Sequence, residues 1–183
     1  PIKVPMIDIQ MVGSGGGSIA EIDSGGALKV GPRSAGADPG PICYGRGKEV
    51  TVTNANLYLG RIDPNHFLGG HMPLNPELVN EAITNFANQV GLTPVQAAEG
   101  IIDVANAKME RPIRVISRER GFDLRDFALV SFGGAGGLHT CDLARNLGIS
   151  AIVIPPNCGL LSAYGMILSD VVKDYSQTVL RKS

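Results

Sequence analysis

The spacing of apolar and polar positions changes character about one third of the way along this chain. Residues 4–12 (VPMIDIQMV) are a nearly continuous apolar run and read as a strand. Residues 18–22 (SIAEI) alternate and read as its hairpin partner across a glycine turn, with residues 27–30 as a third short strand. Residues 31–47 are crowded with Gly and Pro, which excludes a regular helix or a central strand there. Residues 51–53 read as a brief strand, followed by a short helix capped at Thr53. Helical spacing then takes over. Asn75-Pro76 opens a helix over residues 76–90 that Gly91 closes. Thr93-Pro94 opens a longer one to Glu119, with Pro112 expected to bend it. Residues 127–132 read as a strand, 136–147 as a helix, 151–154 as a buried strand, 159–168 as a helix of small residues and 170–180 as a last strand. This order predicts an α/β domain with a mixed sheet and flanking helices.

Two glycine clusters interrupt the pattern at matching places. Gly13-Ser14-Gly15-Gly16-Gly17-Ser18 follows the first strand, and Gly133-Gly134-Ala135-Gly136-Gly137 joins a strand to a helix. Glycine lets the backbone take positive φ and lets a ligand approach the main chain. Positive φ is expected at Gly16. Consecutive amides in such turns form a concavity for phosphate oxygens. Two such turns point to a nucleotide held between two parts of one sheet-based domain. A dinucleotide-binding unit is disfavoured, because the first cluster leads into a β-like run and lacks the G-x-G-x-x-G spacing that opens a helix.

Composition narrows the function. The chain has 183 residues, 44% apolar and 18% charged, enough to bury a real core. A net charge of −1 and few aromatics (5%, no Trp) argue against nucleic acid. No uninterrupted apolar stretch is long enough for a membrane span, and no signal peptide is recognisable. A cytoplasmic protein is expected. Cys43, Cys141 and Cys158 have no metal or disulfide spacing and read as buried free thiols. His66 and His71 are too few for a metal site, and His139 reads as a capping or core histidine before a catalytic one. Arg33, Arg46 and Asp38 are either anion ligands or surface ion pairs and turn residues. Arg111, Arg114, Arg118 and Arg120 read as a solvated helix face.

Five ordered blocks carry a family resemblance. They are residues 8–20, Val30–Pro41 with Cys43–Gly47, Thr51–Arg61, Phe132–His139 and Pro155–Met166. Together they resemble the hydantoinase A/5-oxoprolinase family. That resemblance implies a fold similar to the actin, sugar-kinase and heat-shock ATPases, a ribonuclease H-like lobe. Residues 1–183 would form the second nucleotide-binding lobe, with the first lobe absent, and the start at Pro1 fits an excised piece. The implied activity is ATP-dependent opening of a cyclic amide or imide of the hydantoin, N-methylhydantoin or 5-oxoproline type. An ATP-dependent ketone carboxylase subunit, or a non-catalytic nucleotide-binding lobe, are the alternatives.

In this reading Gly13, Gly15, Gly16, Gly17 and Ser18 hold phosphates of ATP. Gly133, Gly134, Ala135 and Gly136 face the adenosine. Asp8 is the catalytic carboxylate and the Mg²⁺ ligand. The implied partners are the first lobe, a hydantoinase B-type subunit and a small cyclic amide. Three positions depart from the family pattern: Gln10 where His is frequent, Asn54 where Asp is frequent, and Gly137 where Pro is frequent.

Overall fold

The computed structural model describes residues 12–170 and Tyr175. The readings placed on residues 4–12 and 170–180, and on Asp8 and Gln10, lie almost wholly outside that range.

β1 (Ser18–Ile22) pairs antiparallel with β2 (Leu28–Ser34) through the Asp23–Gly26 turn. Asp23 Oδ1 accepts the amides of Gly25 and Ala27, which fixes the turn. β2 is longer than the alternation suggests and runs through Gly31-Pro32. Ala20 faces Val30 while Ser18 faces Ser34, so two extra residues of β2 bulge out between those pairs. A bulge is where a strand tolerates a proline, because no ladder bond is asked of its nitrogen. Gly31 takes φ +60 there, and the Gly31-Pro32 and Asp38-Pro39 peptides are cis.

Three helices form the main core. α1 (Val52–Tyr58) starts one turn fraction earlier than its polar pattern indicates. Its cap is Thr51, whose hydroxyl and amide both engage Asn54 in a capping box. α2 (Pro76–Val90) and α3 (Pro94–Glu119) begin and end where their caps dictate, at Asn75, Gly91 and Thr93. Gly91 takes φ +67, the left-handed closure that costs glycine nothing. α3 continues through Pro112 to Glu119. The core joins the ribbon to these helices through Val30, Val52, Val79, Ile83, Ile101 and Ile102, each at most 1% exposed. Each such side chain contributes about 1.5–3 kcal/mol by leaving water.

The last third is thinner. β3 (Ala128–Val130) pairs parallel with β4 (Ala151–Val153), and α4 (Gly137–Leu147) connects them. A small cluster of Ala144, Leu147 and Ile149 packs against Ile113, Leu124 and Leu129. α5 (Leu161–Leu168) follows a 3₁₀ turn at Cys158–Leu160. Two expectations change here. β4 is exposed at every residue, not buried, and α5 buries none. Among the described residues the strands form two separate pairs, one antiparallel and one parallel, not one continuous mixed sheet. Among the described residues, no helix is long and apolar enough to cross a membrane.

Candidate functional site

The first glycine turn is held by hydrogen bonds on both sides. Ser18 Oγ accepts the Gly15 amide at 2.9 Å, and the Ser18 amide donates to Gly15 O at 3.0 Å. Gly16 O accepts two bonds from Thr53, from its amide at 2.8 Å and its hydroxyl at 2.9 Å. Gly17 O accepts the Ala35 amide. Glycine is required here by close approach. A Cβ on Gly16 would stand 2.7 Å from Thr53 Oγ1, and one on Gly17 2.7 Å from Ser34 Oγ. Positive φ is not the reason: Gly13, Gly15, Gly16 and Gly17 all lack it. Gly13 lies against Pro32, and Gly31 approaches Gly13 O. Behind this contact Lys108, on α3, donates its ammonium to the carbonyls of Val30 and Gly31.

The second glycine turn is open. Gly133 takes φ +92 and donates its amide to Cys158 O at 2.9 Å, tying the turn to the loop before α5. A Cβ on Gly133, Gly134 or Gly137 would meet no atom within 4 Å. Gly136 caps α4 without any side-chain acceptor, and the amides of Leu138 and His139 donate instead to the carbonyls of Ala135 and Gly136, at 3.1 Å each. Gly136 itself is tight, 2.7 Å from Phe132 O to a Cβ placed on it. The Thr140 hydroxyl lies 2.7 Å from both Gly136 O and Ser131 Oγ and pins the start of α4 to the end of β3.

The two turns approach each other: a Cβ placed on Gly16 would lie 3.7 Å from that of Ala135. Of the residues singled out in the sequence, Gly13, Gly15–Ser18 and Gly133–Gly136 are therefore gathered at one place. Asp8 lies outside the described residues.

His139 sits just inside α4, 2% exposed, with Nδ1 2.8 Å from Asn106 Oδ1 on α3. An amide oxygen there requires the proton on Nδ1, which leaves Nε2 as a bare acceptor. Among the described residues Nε2 has no partner. Burial, with the charge of Arg61 beside it, pushes the ring below the ordinary histidine range, and Asp142 opposes that. Arg61 pairs with Asp142 at 3.0 Å. This network was not legible from the sequence, because Asn106 lies 33 residues from His139.

Asn54 and Asn56 are fully buried on α1. Asn54 Oδ1 takes the Thr51 amide and hydroxyl, an acceptor role that Asp would also fill. Arg33 pairs with Glu21 and Glu49, and Arg46 with Asp38, so these arginines serve surface ion pairs. Of the three thiols only Cys43 is buried, and burial pushes it up to about 11. Cys141 is exposed, contrary to its apolar reading, and Cys158 is half-buried. Among the described residues, no group of three His, Cys, Asp or Glu side chains stands ready for a metal.

Comparison with known proteins places the chain in a family. The family model for hydantoinase/oxoprolinase matches residues 1–175. The chain belongs to the hydantoinase/oxoprolinase family. It is 48% identical, over 97% of its length, to the caprolactamase subunit alpha of Pseudomonas jessenii. The solved ATP-dependent caprolactamase of that organism superposes with a TM-score of 0.84 at 49% identity, over 93% of this chain and 25% of the other. 5-Oxoprolinase 1 of Arabidopsis thaliana is 40% identical over 94% of this chain and 15% of its own. A nucleotide-free acetone carboxylase, from a study of ATP-dependent acetone carboxylation, superposes at 0.77 with 30% identity, over 83% of this chain and 22% of the other. This chain spans about a quarter or less of each of these relatives.

Proposed function

We propose that this chain is the nucleotide-facing lobe of an ATP-dependent enzyme that opens a cyclic amide or imide. The observation that carries the proposal is the close approach of the two glycine turns, where a Cβ on Gly16 would lie 3.7 Å from that of Ala135. The first turn is closed by hydrogen bonds from Gly15 to Ser18 and from Thr53 to Gly16, and the second leaves open space at Gly133 and Gly134. That pairing fits a phosphate chain lying along the first turn with its nucleoside over Gly133–Gly136. ATP, when bound, supplies the phosphoryl group that activates the ring carbonyl toward attack by water. The chain's own contribution is positioning. Thr53 fixes Gly16, Ser18 fixes Gly15, and the open backbone at Gly133 and Gly134 leaves room for the nucleoside. Mg²⁺ in this reading rests on Asp8, so no step is assigned to it. The lobe would be of the actin and sugar-kinase type, completed by a first lobe, and would work in the cytoplasm beside a hydantoinase B-type subunit.

Phosphate release by the full-length protein with ATP and Mg²⁺ tests this. Release is expected to rise severalfold on adding one of caprolactam, hydantoin, N-methylhydantoin or 5-oxoproline, with stoichiometric ring opening. The acetone carboxylase likeness favours one second reading, activation of a ketone. Release stimulated by a ketone only with bicarbonate present would select it. Release indifferent to every such substrate would remove both.

A further inference from the structure

We propose that the cleft at the C-terminal half of α3 docks an acidic polypeptide segment carrying a bulky apolar side chain. The cleft has a volume of about 800 Å³ and lies between α3, the loop of residues 121–125 and the C-terminal end of α4 at Leu147 and Gly148. It therefore flanks the start of β3 and the end of α4, while the glycine turn follows β3 and precedes α4. The two sites are at opposite ends of these elements.

Four arginines line it, Arg111, Arg114, Arg118 and Arg125, against two carboxylates, in a chain whose net charge is −1. Both carboxylates are already engaged. Glu110 is held by Arg114 at 3.4 Å and by Asn146 Nδ2 at 2.6 Å, and Asp123 is held by Arg125 at 2.6 Å. Arg114 also donates to Asn146 O at 2.6 Å, which anchors it across the cleft. The guanidinium groups of Arg111 and Arg118 carry no ion pair or hydrogen bond among the described residues. Guanidinium forks match carboxylates in two-point geometry, so the free pair sets the sign and chemistry of the occupant.

A second hollow of about 240 Å³ adjoins the first and shares Ser117, Phe122 and Leu124 with it. Its other walls are Ile113, Ile116 and Phe127. Phe122 and Phe127 pack with ring centroids 5.5 Å apart and planes tilted by 59°, yet remain 53% and 46% exposed. An apolar hollow beside free arginines is the composition of a protein-docking hot spot, aromatic and Arg together. A lone small anion would meet only exposed guanidinium groups, each worth little in water. A segment that also fills the apolar hollow excludes that water.

The test is fluorescence anisotropy of a labelled hexapeptide, Glu-Glu-Phe-Leu-Glu-Asp, on the full-length protein. Binding is expected to weaken with salt. It should weaken at least about tenfold in the double variant Arg111→Glu/Arg118→Glu and in Phe122→Ala. Arg118→Gln, an exposed single change, should show a smaller loss with an unchanged circular dichroism spectrum. Equal binding of hexaglutamate or inorganic phosphate would overturn the proposal in favour of a plain anion site. Preferred binding of a single-stranded oligonucleotide would do so too. A dimer in sedimentation that the double variant dissociates would assign the face to a second copy. No binding of the peptide, or no effect of the variants, would also overturn it.

Discussion

Replacing Gly16 with alanine tests whether the first glycine turn is built for close approach. The new Cβ would stand 2.7 Å from Thr53 Oγ1, a distance real Cβ atoms do not tolerate. Thr53 is buried and its amide and hydroxyl both donate to Gly16 O, so its side chain cannot swing away without losing a bond. One hydrogen bond is worth about 0.5–1.5 kcal/mol, and overpacking by one methyl costs about 1–3 kcal/mol. The turn should therefore loosen by about 2–4 kcal/mol. Hydrogen exchange at the Thr53 amide reads this locally in the full-length protein, since that amide donates to Gly16 O. Protection should fall about 30-fold or more, at tenfold per 1.4 kcal/mol. Thr53→Ala removes the colliding hydroxyl. The double variant should then be more protected than the sum of the single effects requires, a coupling of about 1 kcal/mol or more. Wild-type protection in Gly16→Ala would refute the reasoning. So would strict additivity in the cycle, because the collision would then not be with Thr53.

Gly134→Val should leave thermal stability within about 1 °C, because its Cβ meets open space, yet weaken ATP binding at least about tenfold by calorimetry. An unchanged Kd would detach the second turn from the nucleotide. His139 gives a pH signature. Its folded pKa is lowered below 6.5, so the unfolded chain takes up the proton first. Stability should hold above pH 6.5 and fall as pH drops from there toward the lowered folded pKa. Asn106→Asp supplies a carboxylate at Nδ1 and should shrink this loss in acid-unfolding curves, whereas an unchanged curve would remove His139 as its source. Thiol labelling should proceed in the order Cys141, Cys158, Cys43, the last reacting only on unfolding, since burial pushes it up to about 11.

Local chemistry was enough to place much of this chain from sequence. Asn75 and Thr93 cap α2 and α3 where their side chains can reach amides three residues on, and Gly91 ends α2, because these signals act within one turn of backbone. The ordered glycine and proline blocks likewise sufficed to suggest the family. What local signals could not decide are contacts between distant segments. Thr53 looked like a cap because threonine is a good one, but Thr51 takes that role and Thr53 is spent on Gly16, 37 residues away. Gly16 looked like a positive-φ glycine, and only the packing of Thr53 and Ala135 around it showed that space, not φ, selects the residue. The AIV run at β4 reads as buried in any apolar pattern, yet burial depends on what covers it, and the pairing with β3 and the packing of α4 leave all three residues exposed. Lys108 on Val30 and Gly31, and Asn106 on His139, follow the same rule. A polar side chain on a helix carries no mark of its partner, because the partner is chosen by which faces the tertiary fold brings together.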